Sequence, residues 1–408
     1  MGFAESITMD ALYIDPYPIY ARLRREEPVA WVPALNVWLV TRREDVRSVI
    51  ASPESFVTSD PNAPLTKLCG PGSSILAREG DAHTEIRASV DDKLAPEVIP
   101  GFVGMANEIA TAELAAMHRR DGIELMSEYF HPVCGETMAR TLGLGELGEP
   151  TLRAWSAAFI GALQNPAGEA GRSEAAEAAS AEMTARLGPM LAESGERPDG
   201  SFLSALMRHG LESGETRSIE TVLPTLKMII SGFKEPAWAA GNLLYALAVH
   251  PEQFAAVRAD RTLLPAAVHE ALRWLPPVGM LGRKATREVT LGGVRIPAGA
   301  MVAACIASAC RDEREFDDAE HFDIHREAKP FVALGYGRHR CIAAAVIPPL
   351  VEVAVDRLLS GCPDLRVRPD AEQLRGWKFR GLQELRAATA QAARPAAAGW
   401  RHRFSKSR

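Results

Sequence analysis

Pro330-Phe-Val-Ala-Leu334-Gly335-Tyr336-Gly337-Arg338-His339-Arg340-Cys341-Ile342-Ala343-Ala344 is the stretch from which the rest of this 408-residue chain is read. Two glycines spaced by one residue make a tight, exposed turn. Three cationic or ionisable side chains follow, and Cys341 then opens an apolar run whose pattern predicts a helix. A cysteine at a helix start has its thiolate favoured by the helix field and by nearby positive charge. Such a turn presents an anionic sulfur to a metal.

A lone cysteine among small residues is ordinarily a buried small hydrophobe. The six cysteines, at 69, 134, 305, 310, 341 and 362, contain no CxxC pair. That spacing argues against a cysteine-rich zinc or iron-sulfur site and leaves a haem with a single thiolate open. Leu334 to Cys341 resembles the haem-binding loop of the cytochrome P450 family, Phe-Gly-x-Gly-x-His-x-Cys-x-Gly. Leu334 replaces the aromatic residue and Ala343 the last glycine, and neither position supplies a ligand. The resemblance extends from Asp15 to Leu385. It implies a mainly α cytochrome P450 haem-thiolate fold with a small β region, and haem b held through Cys341 as axial thiolate and metal ligand.

The chain is long enough for a large core and shows no repeats or long central linker. It is expected to form one body over residues 1–387, with 388–408 a flexible basic tail ending Arg401-His-Arg-Phe-Ser-Lys-Ser-Arg408. Lysine and arginine total 46 against 52 acids, a formal charge of −6. No basic stripe accompanies aromatic platforms, so nucleic acid is a poor partner. No stretch reaches the roughly 18 uninterrupted apolar residues of a membrane span, and no basic-apolar leader opens the sequence. The expectation is a soluble, cytoplasmic protein without membrane contact.

In the first third, Pro18 to Glu27 reads as an amphipathic helix. Val29–Val32 and Val37–Val40 read as strands divided by Pro33 and Asn36, and Glu44 to Ala51 as a further helix. Ser59 to Arg78 is polar and broken by Pro61, Pro64, Gly70, Pro71 and Gly72, as in a lid or binding wall. By resemblance it walls the substrate pocket, with Leu65, Leu68 and Ile75 as apolar contacts. His83 and Arg87 stand four residues apart on one helical face. Two such cations commonly face solvent, whereas the family's His-x-x-x-Arg motif, which they match, binds a haem propionate.

Alanine-rich helical patterns cover Val103–Leu142, Leu152–Leu163 and Ser173–Leu191, with Gly161, Pro166 and Gly168 between two of them. By resemblance these cover the pocket, making Phe159 and Leu163 substrate candidates as well as ordinary packing residues. Glu220 to His250 reads as one long helix. Pro236 lacks the donor that would bond the Gly232 carbonyl, which predicts a local opening beside a residue without a side chain. The family's Ala-Gly-x-Asp/Glu-Thr falls here on Ser231-Gly232-Phe233-Lys234-Glu235. Lys234 takes the acid position and Glu235 the position of the threonine that supports oxygen protonation. Gly232, Lys234 and Glu235 are thus the catalytic candidates, Glu235 as a substitute in proton delivery, and Phe233 a substrate candidate. Gly-Phe-Lys-Glu-Pro also resembles the helix of bacterial aromatic O-demethylases that act on small methoxyphenols.

Leu263 to Trp274 reads as a helix placing Glu270 and Arg273 at i,i+3, a surface bridge or a buried charged scaffold. They match the family's Glu-x-x-Arg, which Arg326 completes as a structural support of the haem-binding face. Val289 to Ile296 reads as a strand. By resemblance Arg283 and His339 join His83 and Arg87 as cofactor-binding residues, while Val278 and Leu281 approach substrate. Gly-Trp377-Lys-Phe379-Arg380-Gly is similar to a turn that enters the O-demethylase pocket, so Phe379 is placed against an aromatic ring.

The implied reaction uses O2, two electrons and two protons to oxidise a small aromatic or hydrophobic substrate. At a methoxy carbon this yields a hemiacetal, then phenol and formaldehyde. No flavin, nicotinamide or iron-sulfur segment is recognisable, which implies an external NAD(P)H-dependent reductase system, direct or through a ferredoxin. Arg338 and Arg340 are docking candidates for it. Hydroxylation of a larger aromatic or natural-product scaffold, a haem-binding sensor with little turnover, and peroxide-driven turnover remain as alternatives.

Overall fold

The computed structural model describes residues 2–70, 74–117, 123–165, 168–212 and 214–389. The expected tail from 390 onward, Pro71, Gly72 and Pro166 lie outside these. Helices dominate, and five short strands form the main sheet in the order Val29–Val32, Val37–Val40, Met301–Ala304, Leu281–Ala285, Phe56–Val57. The first two strands make a hairpin, Val29 opposite Val40. Pro33–Leu35 forms a 3₁₀ turn there, and Asn36 takes the left-handed conformation that its short polar side chain tolerates. Val37–Val40 runs parallel to Met301–Ala304, with Trp38 opposite Val302, so the sheet joins the two halves of the chain.

Buried apolar side chains from Ala4 to Ala387 belong to one hydrophobic cluster. At its centre lies the helix Glu235–Val249, in which every residue from Pro236 to Leu247 is buried. A helix apolar all round requires neighbours on every side. The helices Met126–Thr141 (its first turn a π turn), Leu264–Trp274 and Ile347–Gly361 supply them.

Several expectations need correction. Glu220 to His250 is two helices, Ile219–Ser231 and Glu235–Val249. The apolar run after Cys341 turns before it becomes helical, and the helix starts at Ile347. Pro348 and Pro349 fit only a first turn, which sets that start. Val289 to Ile296 is a hairpin, Val289–Leu291 against Val294–Ile296, because Gly292 and Gly293 both take positive φ. The segment after Ser59 contains the helix Pro64–Cys69, begun by a proline at its first position. Val103 to Leu142 is interrupted by the strand Ile123–Glu124.

The two ends of the described chain meet. Gly376 N–H donates to the Tyr13 carbonyl at 2.9 Å, and Arg380 donates to the carbonyls of Tyr13 and Ile14. Trp377 Nε1 donates to the Tyr20 hydroxyl at 2.7 Å.

Candidate functional site

Gly335 and Gly337 have φ of +74° and +70°. A Cβ on Gly335 would stand 3.3 Å from the His339 carbonyl oxygen, so the loop folds back on itself only because that position is bare. Cys341 N–H donates to the Leu334 carbonyl at 2.8 Å, which closes the loop and leaves the cysteine partly exposed. Burial raises the Cys341 thiol, opposed by the Ala343 N–H and by the guanidinium groups of Arg87 and Arg340. What favours the sulfur anion is thus a local amide and two cations, in place of the helix field that the sequence predicts.

Around this loop the four cationic candidates converge. His83 and His339 pack edge to face with ring centres 4.5 Å apart. Arg87 donates to the Arg340 carbonyl and pairs with Asp91. Arg283, 4 % exposed, bonds only the adjacent Gly282 carbonyl, at 2.9 Å, and meets no carboxylate among the described residues. Burial lowers it to about 10 despite the Glu79 charge nearby. His83 is lowered to about 4 by burial, then by His339, Arg87 and Arg338. The local acid is Glu79, held by Thr58 through its N–H and its hydroxyl and facing His339 Nε2 at 3.4 Å. A buried guanidinium bonded to no carboxylate among the described residues, beside two histidines and a partly exposed thiol, fits a haem with two propionates.

Opposite the loop in chemistry is the break between the two central helices. Gly232 N–H donates to Ile229 and Phe233 N–H to Ile230, each i to i−3, and the ladder resumes with Trp238 N–H to Lys234. Pro236 offers no N–H to the Gly232 carbonyl. Ser156 Oγ donates to the Ser231 carbonyl at 2.8 Å and satisfies one acceptor freed by the break. Gly232 is exposed between buried Ser231 and buried Phe233, which places free space beside it within an otherwise apolar segment. The Glu235 carboxyl leans over Gly232, with both oxygens less than 4 Å from where a Cβ would stand. Its Oε2 is buried without a hydrogen-bond partner. Burial lifts Glu235 from 4.5 to about 7, against the pull of its own and Lys234's N–H groups and the Lys234 charge. Lys234 turns its Nζ onto the Trp238 ring, 4.7 Å from the centre.

The pocket candidates divide. Val278 and Phe379 form an antiparallel bridge, flanked by Gly279 N–H to Lys378 O at 2.8 Å and Arg380 N–H to Pro277 O at 2.7 Å. Gln164 Oε1 accepts from the N–H groups of both Trp377 and Phe379 at 3.2 Å, which brings Leu163 to the same place. Phe379, Val278, Leu163, Leu281 and Leu65 all keep surface free, whereas Leu68 and Ile75 are buried. Phe159 is corrected: at 0 % exposure it is core and offers no face to a ligand. Phe233 is buried too, its ring against Gly135, where an added Cβ would stand 3.0 Å away. The residues that sequence reading missed are Gln164, Glu79, Thr58 and the buried Lys227. Lys227, a single charge inside Leu223-Pro-Thr-Leu-Lys-Met-Ile-Ile230, is the one with a visible signal.

Glu270 and Arg273 are 2 % and 1 % exposed and joined by two 2.7 Å bonds. Arg273 also donates to the carbonyls of Cys310, Ala319 and His321, and Arg326 reaches Glu270 at 3.2 Å. Every donor on Arg273 is thereby occupied, which makes the trio a buried scaffold. Among the described residues, no helix is long and apolar enough to cross a membrane.

The sequence model of the cytochrome P450 family matches residues 190–344. Cytochrome P450 monooxygenase PikC of Streptomyces venezuelae is 33 % identical over 86 % of this chain and 85 % of its own. Nocardicin C N-oxygenase of Nocardia uniformis is 28 % identical over 90 % and 92 %. The solved structure of the versatile P450 CYP109B1 from Bacillus subtilis, 26 % identical, superposes with a TM-score of 0.80 over 92 % of this chain and 99 % of that one. With the thiolate loop, the cation cluster and the buried Glu-Arg-Arg scaffold in place, the chain belongs to the cytochrome P450 family and is a haem-dependent monooxygenase supplied with electrons by external redox partners.

Proposed function

We propose that this monooxygenase oxidises a small aromatic substrate, with O-demethylation of a methoxyarene as its reaction. The observation that carries the reading is the Phe379–Val278 bridge, clamped by Gln164, which fixes the backbone that bears an aromatic ring with free surface. Ring-to-ring packing there contributes about 1 kcal/mol and, more usefully, fixes which carbon is presented. Haem bound through Cys341 supplies oxygen activation with two external electrons. The protein's part is to hold the cofactor's carboxylates with His83, Arg87, Arg283 and His339. Glu235, lifted by burial to about 7, exchanges a proton at the helix break near neutral pH and so can take one up from solvent and release it there.

The test is product analysis with a panel of methoxybenzenes and alkylphenols, a ferredoxin and its reductase. Formaldehyde and the demethylated phenol in equal amounts are expected. Side-chain or ring hydroxylation without formaldehyde across the panel would remove O-demethylation. A larger natural-product substrate is the second reading, favoured by the similarity to nocardicin C N-oxygenase. Turnover of such scaffolds with none of the panel would select it.

A further inference from the structure

Lys227 is 2 % exposed, yet no carboxylate meets it among the described residues. Its Nζ donates to Ser180 Oγ at 2.9 Å, and that hydroxyl donates to the Leu68 carbonyl at 2.6 Å. An ammonium carries three donors, and among the described residues one is used. Cys69 lies near enough for its charge to matter, but burial pushes its thiol up to about 12, so it supplies no counter-charge at neutral pH. Burial alone then lowers the Lys227 ammonium from its usual range. An ammonium held out of water without an anion is costly, which makes an arriving anion favourable.

Its place in the fold gives the anion an address. Arg78 Nη2 donates to the Thr221 carbonyl, Ile75 N–H donates to Thr225 Oγ1, and a Cβ on Gly70 would stand 4.0 Å from Lys227 Nζ. Gly70, Ile75 and Arg78 therefore meet the helix Ile219–Ser231 in reverse order, with Lys227 at the end nearer the break. Gly232 stands five positions after Lys227, roughly 7.5 Å along the axis at the α-helical rise. That span suits a benzene ring with a charged group at one end and the reacting carbon at the other.

We infer that Lys227 is the anion anchor of the substrate pocket and that the substrate is a small organic carboxylate. The inference rests on the reading of the site as one for small aromatics, which it narrows to aryl carboxylates. The ammonium pairs with the carboxylate at the wall, and the far end of the ring reaches the break at Gly232.

The test uses the holoprotein with 4-methoxybenzoate, its methyl ester and dodecanoate, followed by calorimetry and by the ligand-induced shift of the haem absorption. The wild type is expected to bind the acid at least about tenfold more tightly than the ester, as a charge-assisted bond warrants. K227M should bring that ratio to about one with little change in the ester, and K227R should keep part of it. S180A, which removes the hydroxyl partner and keeps the charge, should preserve the ratio. Equal loss of acid and ester in K227M makes Lys227 a structural latch and overturns the inference. So does a ratio that survives in K227M, or a wild type that binds no carboxylate more tightly than its ester. Dodecanoate bound through Lys227 while 4-methoxybenzoate is refused keeps the anchor and removes the small-aromatic reading.

Discussion

Glu235 shows how one side chain links stability to chemistry. Its carboxyl is ordinary at 4.5 and lies at about 7 in the fold. Between those values the folded protein keeps a proton that the unfolded chain has released, so stability falls as pH rises through that window and is level above it. The loss is at most ~3 kcal/mol for an acid so shifted. Glu235→Gln cannot ionise, so its melting temperature should gain on the wild type from pH 5 to pH 8. Parallel curves for the two proteins would mean that the carboxyl is not raised. The same variant should consume oxygen with less product per O2 while its haem content is unchanged, read from paired oxygen and product measurements. The replacement of threonine by this acid was visible in Ser231-Gly-Phe-Lys-Glu-Pro236. Its isolation was not, because an orphaned Oε2 is a property of what fails to pack against it.

At the scale of elements, two devices carry the site. The turn bearing Phe379 depends on Gly376, whose φ is +111° and where a Cβ would overlap the Phe379 carbonyl. Gly376→Ala should cost about 1–3 kcal/mol in urea unfolding and weaken substrate binding. Gly200→Ala, at φ +77° with open space around it, is the control that should cost stability only. Glu270→Ala strands Arg273 and Arg326 around a buried void and should cost about 3–5 kcal/mol by the same measurement. The helices flanking these devices were legible because their apolar positions repeat with the helical period, as in Leu264–Trp274. The break at Gly232 was legible only as a kink, since apolar residues continue through it and one proline does not say how many bonds are lost. The helix Pro64–Cys69 was hidden by its polar, proline-rich surroundings, and tertiary contacts with the helices Glu149–Leu163, Ala170–Glu196 and Ile219–Ser231 hold it. Gln164 and Thr58 were illegible altogether, since single polar residues acquire roles only from partners distant in sequence.

Across the whole molecule, the cofactor and the fold stabilise each other. Arg283 is a buried cation that bonds no carboxylate among the described residues, with only the Glu79 charge nearby, and a haem propionate held there would supply a direct partner. Arg283→Met should therefore stabilise the haem-free protein and destabilise the haem-bound one, each by about 1–3 kcal/mol, in urea titrations run with and without haem. A change of the same sign in both would take Arg283 out of the propionate site. The backbone carbonyls of Tyr13 and Ile14, which secure the turn around Phe379, carry a consequence of another kind. Arg380 is 367 residues downstream of Tyr13, and at ribosomal speeds of about 5–20 residues per second the two are made roughly 20–70 s apart. The clasp on the turn around Phe379 is thus fastened only once Arg380 has been made, by a segment synthesised 367 residues earlier. A backbone change at Tyr13 or Ile14 therefore acts on the turn around Phe379 from the opposite end of the described chain.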